Sequence, residues 1–567
     1  MYLLDPWAGS APHTGTMAEA VEQFYLAAPL AVVLLSFSIA FAVVLATDGL
    51  AMPRPARDRF AIERAPARQI ADIALRLPAM LFVYVFFFAI SWRPVYACLA
   101  VISFFVIFTL ISRVKFRFIR EPLIFSDLAL VVDVFRYKEI FYASWLNIAF
   151  WAFAILYVFG LSALIMALEP TLLPAGNAVP AALAGLVVWF SPLVLLTVQP
   201  VRALVSQFLR TFIGRLDLRA NTIRFGTFGY IVLNFLMWIG NIRDKRTFID
   251  EARKSLDSAA NTLVRFRKEE AAPLVVVWQS ESFVDMRHFG LDGLSLPHLD
   301  TLRERAAQWG RLANVFEGGY TLRTEFAVLS GIQPESIDLD ASYPYLRAGE
   351  YADLVWPMRL KKAGWRTHFV HPYERTFFMR HKAIPQLGFD RMTMLDAFDH
   401  RPKPSAPYVP DMTLAHRVCN ICEEYPEDRG AFVFVASMEN HGPWQRGRCG
   451  NLSDPVDIYC RLLERSDAAL GHLVGELNEM DRPVWLVFYG DHAPLLKAFA
   501  DPFPDPRTDY LIAPLGKGRR TSGASQADLE PWNLLGSLAA RAGIMNGGRE
   551  GASSGWLPHL DASNAWT

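Results

Sequence analysis

The sequence carries no net charge, because 56 Lys and Arg residues balance 56 Asp and Glu residues among 567. The second half of the chain also lacks a basic run interleaved with aromatic residues, the usual electrostatic footprint of nucleic-acid binding. These two absences exclude nucleic acid as a partner. The chain has no internal repeat and no low-complexity tract either.

Cysteine is scarce, with five residues in the whole chain. One, Cys98, lies in an apolar run, and the other four fall in the second half. An even number allows two disulfides if this half is outside the cytoplasm, and free, partly buried thiols are the alternative. The four are Cys419, Cys422, Cys449 and Cys460.

Long hydrophobic runs are abundant, but they are confined to the chain before about residue 240. The hydrophobic content of 53% is too high for a wholly soluble protein. The first run is longer than the core of a cleaved signal peptide, so we expect it to be retained. We therefore predict a polytopic α-helical membrane domain over residues 1–240, with five or six helices. The runs are Phe24–Ala46, Leu77–Trp92, Pro94–Ile111, Trp145–Leu168, Pro180–Val198 and the shorter Phe225–Gly240.

Lys and Arg are unevenly distributed among the segments between these runs. Cytoplasmic loops collect these residues, so the asymmetry predicts an external N-terminus, three internal loops and a sixth span at Phe225–Gly240. The alternative has five spans and an internal N-terminus, with Val201–Leu216 and Phe225–Gly240 lying along the interface. Both versions place the rest of the chain on the external (periplasmic or extracellular) side of the inner, cytoplasmic membrane. The Lys and Arg counts are six, six and five in residues 47–77, 112–144 and 199–224, and none in residues 1–23 and 169–179.

Residues 241–271 are charged and favour a helix, as a linker or stalk would. From residue 272 to 567, strand-like and helix-like patterns alternate, which predicts an α/β domain with a largely parallel sheet. The predicted strands are Leu274–Trp278, Leu312–Phe316, Trp365–Val370, Ala431–Ala436 and Val484–Tyr489.

Four of these strands lead to side chains that bind metals or phosphate. Val484–Tyr489 stops at Gly490, and Asp491 and His492 follow at once. The carboxyl edge of a parallel sheet is where strands deliver residues to a ligand. Taken alone, the dipeptide also fits a turn beside a surface histidine. Four strands with such endings indicate one shared site, the other three leading to Glu281, His371 and His441.

Thr321 follows two glycines and precedes a helical pattern of apolar residues. Backbone N–H groups at a helix N-terminus favour an anionic phosphoryl oxygen, and a metal could activate the hydroxyl as a nucleophile. An ordinary N-cap is the alternative interpretation. A Ser-His-Asp hydrolase is excluded, because no G-x-S-x-G turn accompanies the histidines.

Four motifs together resemble a known family. They are QSESF at 279–283, GGYTLRTEF at 318–326, ENHGPW at 439–444 and FYGDH at 488–492. In this order they are similar to the lipoteichoic acid synthase group of phosphoglycerol transferases, within the alkaline phosphatase and sulfatase superfamily. The resemblance covers about residues 272–545 and implies a sulfatase-like catalytic domain. A true sulfatase is excluded, because no C/S-x-P-x-R motif follows the second strand.

The resemblance also implies roles for individual residues. One divalent cation, usually Mn²⁺ with Mg²⁺ or Zn²⁺ as alternatives, would be bound by four of them. Thr321 would also be the nucleophile, and His441 would contact phosphate and transfer protons. His371 and Arg380 match a substrate-binding pair. Arg323 departs from the family pattern and could meet phosphate directly. The four metal ligands would be Glu281, Thr321, Asp491 and His492.

The expected activity is transfer of phosphoglycerol from a phospholipid such as phosphatidylglycerol, through a Thr-linked intermediate, to a glycan or glycolipid. A phosphoethanolamine transferase would use the same metal and nucleophile with another head-group pocket. A catalytically idle membrane protein that binds polysaccharide is the alternative from a different class.

Overall fold

A computed structural model describes Tyr25 and residues 27–60, 65–137, 148–173, 176–213, 217–241, 243–256, 263, 271–315, 319–516 and 524–545. The predicted external segment Met1–Gln23, the start of the predicted span at Trp145, most of the stalk after residue 256 and the end of the chain lie outside these residues.

The chain forms two compact units that interleave along the sequence. The first holds residues 1–114, 147–205 and 217–233, and the second holds residues 115–146, 206–216 and 234–567. The predicted division at residue 240 therefore differs from the structure, because two earlier segments belong to the unit that contains the sheet.

The apolar runs of the first unit form helices. In the part of the chain that the structure describes, four helices are long and apolar enough to cross a membrane: Pro29–Ala51, Pro66–Ser91, Pro94–Ile119 and Ala178–Leu195. Ala152–Leu168 is apolar but shorter, and Leu218–Phe225 and Thr227–Gly240 form a pair bent by 117°. Further helices of this half of the chain, among the described residues, are Arg54–Phe60, Gln199–Arg210 and Arg243–Leu256.

Contacts within the second unit favour the five-span alternative over the six-span arrangement. That arrangement put residues 112–144 on the opposite side of the membrane from the sheet domain. In the structure Glu121 forms an ion pair with Arg323 (2.6 Å) and the Tyr137 hydroxyl bonds that of Thr376 (2.8 Å). Both segments must therefore share one side, as the five-span alternative requires.

Two of the cations counted in residues 112–144 are paired with carboxylates in the structure. Lys115, one of the cations counted in residues 112–144, is paired with Asp127 at 2.6 Å. Arg120 forms a salt bridge with Asp501 of the sheet domain.

One eight-stranded sheet organises the second unit, in the order β4-β3-β5-β1-β6-β7-β2-β8. Within the described residues β7 alone runs antiparallel to its neighbours, so the predicted largely parallel sheet is confirmed. The strands are β1 Leu274–Ser280, β2 Gln308–Leu312, β3 Arg366–Val370, β4 Arg391–Thr393, β5 Ala431–Ala436, β6 Val484–Gly490, β7 Thr508–Leu515 and β8 Ser525–Gln526.

Both faces of the sheet are covered, which explains why the central strands are continuously apolar. Along β1, Leu274 and Val276 enter one core and Val275 and Val277 enter the other. The predicted strand Leu312–Phe316 was placed too late in the chain, because β2 ends at Leu312. The helices of this domain are Pro297–Arg305, Thr321–Ser330, Pro334–Ile337, Trp356–Lys362, Arg380–Gln386, Asp411–Glu423, Pro455–Asn478 and Leu534–Ala542.

The predicted stalk begins as the helix Arg243–Leu256, which packs into the domain core through Phe248, Ile249 and Ala252. All five cysteines are free thiols, which decides the open choice between thiols and disulfides. Cys419 and Cys422 are buried side chains of the helix Asp411–Glu423.

Candidate active site

Glu281, Asp491 and His492 meet at the carboxyl edge of β1 and β6. The two strands are paired so that Ser280 is opposite Gly490, and the ligand-bearing residues follow directly. His492 Nε2 lies 3.5 Å from Glu281 Oε1 and 3.3 Å from Asp491 Oδ2. The three side chains are buried, with one ligand atom from each lying within 4.8 Å of the others.

This arrangement fits one divalent cation. Ligand atoms about 2.1 Å from a single ion lie roughly 3.0–3.4 Å apart, close to the separations from Nε2. Nδ1 of His492 lies 3.0 Å from the carbonyl oxygen of Ala493, to which it donates, so Nε2 faces the carboxylates. Such a second hydrogen bond is the usual way in which a ligating histidine is oriented.

The electrostatics of the cluster also favour a cation. Burial raises the pKa of Glu281, and it raises the pKa of Asp491 to about 7. Burial lowers the pKa of His492, but the two carboxylates outweigh this and raise it. Asp491 Oδ1 accepts the N–H groups of Ser282 (2.7 Å) and His492 (2.9 Å), which fixes the carboxylate. Two buried carboxylates therefore face one place, where a divalent cation would neutralise their charge.

Thr321 is the first residue of the helix Thr321–Ser330, and Tyr320 occupies the N-cap position. Its side chain lies beside the carboxylates of Glu281 and Asp491 and lowers the pKa of both. All four predicted metal ligands therefore come together. A Cβ on Gly319 would lie 3.3 Å from Cε1 of His492, so glycine permits this close approach.

His441 lies at the margin of the same cluster. Burial lowers its pKa to about 4, and the charges of His492 and Asp491 also act on it. Its Nδ1 lies 2.7 Å from the Gly442 carbonyl oxygen and 3.2 Å from the Tyr408 hydroxyl. The neutral ring donates through Nδ1, so Nε2 can accept a proton.

His371 and Arg380 contact each other but are enclosed. Arg380 Nη2 lies 2.8 Å from Glu325 Oε2, and Nη1 lies 3.1 Å from His371 Nε2. His371 Nδ1 is bonded to the carbonyl oxygen of Ala436 (2.9 Å), so both ring nitrogens are engaged. His371 and Arg380 are each 1% exposed. Both side chains are therefore held by contacts to other protein groups.

Glu325 is the residue that the sequence analysis missed. It is completely buried and also accepts a hydrogen bond from the Tyr345 hydroxyl. It lies four residues after Thr321, so both are on one face of the helix. This four-residue spacing was the feature of the sequence that could have identified Glu325 as part of the site.

Arg323 was expected to contact phosphate, but in the structure it contacts a carboxylate. Its Nη1 lies 2.6 Å from Glu121 Oε1, and its Nε donates to the Ser342 carbonyl oxygen at 3.0 Å. The guanidinium also lies over the ring of Tyr320. With 4% of its surface exposed, Arg323 serves a contact inside the second unit.

A second acidic cluster, Asp285, His288 and Asp509, has the spacing of a metal site but different electrostatics. Arg303 bridges Asp285 and Asp509, at 2.8 Å from each. Arg287 adds a further ion pair to Asp285. These guanidinium groups already supply the compensating charge, so the cluster is a structural ion-pair network.

The sulfatase family model matches residues 273–544, the range that contains all eight strands and the whole cluster. The second unit is thus built on a sulfatase-type α/β domain, as the resemblance implied. The capsular polysaccharide biosynthesis protein RkpI of Rhizobium meliloti is 55% identical over 518 residues, which cover 91% of this chain and 95% of RkpI. The chain belongs to the same family as RkpI.

Solved structures show a more distant similarity. The phosphoglycerol transferase GacH of Streptococcus pyogenes, in complex with sn-glycerol-1-phosphate, is 20% identical, with a TM-score of 0.39 over 52% of this chain and 81% of GacH. The lipoteichoic acid synthase LtaP of Listeria monocytogenes is 18% identical, with a TM-score of 0.40 over 54% of this chain and 80% of LtaP.

Proposed function

We propose that the protein is a membrane-bound phosphoglycerol transferase. It transfers phosphoglycerol from a phospholipid to Thr321, and phosphatidylglycerol is the donor we propose. It then passes the group to a hydroxyl of an envelope glycan or glycolipid. The observation that carries this proposal is the position of Thr321 at a helix N-terminus, beside the carboxylates of the buried cluster.

One divalent cation would be bound by Glu281, Asp491, His492 and Thr321. Mn²⁺ is the ion we propose, and Mg²⁺ and Zn²⁺ are the alternatives. Such a cation lowers the pKa of a bound hydroxyl and neutralises charge on a phosphoryl oxygen. Thr321 Oγ1 then attacks phosphorus, the bond from phosphorus to the diacylglycerol oxygen breaks, and diacylglycerol leaves. Backbone N–H groups at the start of the helix face the phosphoryl oxygens.

The second half of the reaction transfers the group from Thr321 to the acceptor. The neutral His441 imidazole offers Nε2 as a base for the proton of the acceptor hydroxyl. The acceptor oxygen forms a bond to phosphorus, the bond to Thr321 breaks, and the threonine hydroxyl is restored. Tyr408 and the Gly442 carbonyl hold the ring in the orientation that this step needs.

The RkpI similarity supports a polysaccharide acceptor, because that relative is described as a capsular polysaccharide biosynthesis protein. We place the catalytic domain on the external side of the inner membrane. The apolar helices keep the domain beside its lipid donor.

Mass spectrometry of the peptide that contains Thr321, after incubation with labelled phosphatidylglycerol, tests the proposal. We expect a phosphoglycerol adduct that is absent from Thr321→Ala, reduced in Thr321→Ser and unaffected in the control Thr324→Ser. Chelator should abolish its formation. An adduct with the mass of phosphoethanolamine would assign the other head group. A folded, metal-loaded protein without any adduct would refute the nucleophile.

A further inference from the structure

Residues 125–136 form a short helical segment of the second unit that follows directly after a membrane-spanning helix. A 3₁₀ turn, Phe125–Leu130, continues as the α-helix Val131–Arg136. On its inner side Leu130 joins the domain core. Asp133 Oδ2 accepts the N–H of Phe378 at 3.3 Å. The segment is therefore fixed to the catalytic domain.

Its outer side is an exposed apolar stripe. Leu128, Val131, Val132 and Phe135 are 55%, 43%, 64% and 40% exposed. Their spacing of three, four and seven residues places them on one face of a helix. Four large apolar side chains in one stripe mark a surface that a partner covers.

The position of the segment in the chain identifies that partner. The spanning helix Pro94–Ile119 ends five residues before Phe125 begins a new turn. Six residue steps extend at most about 20 Å, so the stripe stays close to the point where the chain leaves the membrane. Arg117, exposed near the end of the spanning helix, suits the head-group region. An apolar stripe beside cations at this level is typical of an interfacial helix.

We propose that residues 125–136 lie in the surface of the lipid bilayer, with Leu128, Val131, Val132 and Phe135 inserted among the acyl chains. The lipid surface thereby becomes a partner of the catalytic domain itself. This inference concerns a binding surface and does not depend on the reaction that the domain performs.

The inner contacts of the same region lead to the nucleophile. Asp127 Oδ1 accepts the Tyr320 hydroxyl at 3.0 Å, and Tyr320 is the N-cap of the helix that begins at Thr321. Glu121, four residues before the segment, forms the buried pair with Arg323 on that helix. The lipid-facing segment and the nucleophile turn are thus one hydrogen-bonded assembly. Such an assembly holds the turn at a fixed depth relative to the lipid surface.

Depth-dependent fluorescence quenching tests the proposal in the full-length protein reconstituted into vesicles. A probe is attached to Val132→Cys in a Cys460→Ser background, because Cys460 is the partly exposed thiol and the other four are buried. The control is the same probe on Ala468→Cys, an exposed position of the helix Pro455–Asn478. We expect spin-labelled phospholipid to quench the probe at 132 and aqueous iodide to quench the probe at 468.

Strong iodide quenching at 132, equal to that at 468, would overturn the proposal. So would protection from both quenchers combined with cross-linking of Val132→Cys between two copies of the chain, which would assign the stripe to a dimer. As a second measurement, Val132→Asp with Phe135→Asp should reduce turnover of donor lipid in vesicles and spare a water-soluble short-chain donor. That measurement rests on the proposed function, whereas the quenching result does not.

Discussion

The buried pair of Arg380 and Glu325 gives the sharpest test of the site, because the structure and the family resemblance assign Arg380 different roles. Arg380 is 1% exposed and Glu325 is 0% exposed, with Nη2 to Oε2 at 2.8 Å and Nε to Oε1 at 3.3 Å. Removing one partner of such a pair leaves a buried charge uncompensated, which costs about 3–5 kcal/mol. For a domain of roughly 300 residues this corresponds to about 5–8 °C in the unfolding midpoint.

We therefore expect Arg380→Met to lower the thermal midpoint of the detergent-solubilised protein by about this amount. The double variant with Glu325→Gln should regain most of the loss, because no unpaired charge then remains buried. Arg253→Met is the matched control. It breaks a pair with Asp353 whose side chains are 47% and 40% exposed, and such a pair is worth about 1 kcal/mol or less.

The same variant has a consequence for the metal site. The positive charge of Arg380 lowers the pKa of Glu281, which burial raises. Without that charge the carboxylate binds its proton more tightly, so metal loading of Arg380→Met should require a higher pH. An unchanged midpoint together with a raised KM for the donor would refute the structural role and support a direct head-group contact.

Three further predictions follow from single features. Gly319→Ala should weaken metal binding with little change in the unfolding midpoint, since its Cβ would lie 3.3 Å from His492 Cε1; unchanged affinity in a metal titration would contradict this. Burial lowers the pKa of His368 to about 4, so below about pH 6.5 the unfolded chain binds a proton that the folded protein does not. Stability should then fall between about pH 6.5 and 4, by about 3 kcal/mol at most, and His368→Gln should flatten the slope of denaturation midpoints against pH. Cysteines at Arg136 and Ala468 should react with an impermeant reagent from the same side of the membrane, the external side; labelling from opposite sides would restore the six-span arrangement.

The sequence by itself determined the features that depend on local order. Continuous apolar runs required either membrane helices or strands buried on both faces, and ligand-type residues after four strands required a site at one sheet edge. The strand endings pointed to Glu281, His371, His441, Asp491 and His492. The family resemblance then added Thr321 and implied which four residues bind the metal. The sheet order decided that β1 and β6 are neighbours, which places Glu281 beside Asp491 and His492.

Only the tertiary structure decided which charges are already paired. Arg323 reads as a free cation in the sequence, but Glu121, about 200 positions earlier, neutralises it inside the second unit. Arg380, a candidate substrate contact in the sequence, is similarly paired with Glu325. Lys115 and Arg120, counted as loop cations in the sequence, likewise meet acidic partners in the second unit. A charge has its effect through its nearest partner and its degree of burial, and both are properties of the folded chain that no local pattern encodes.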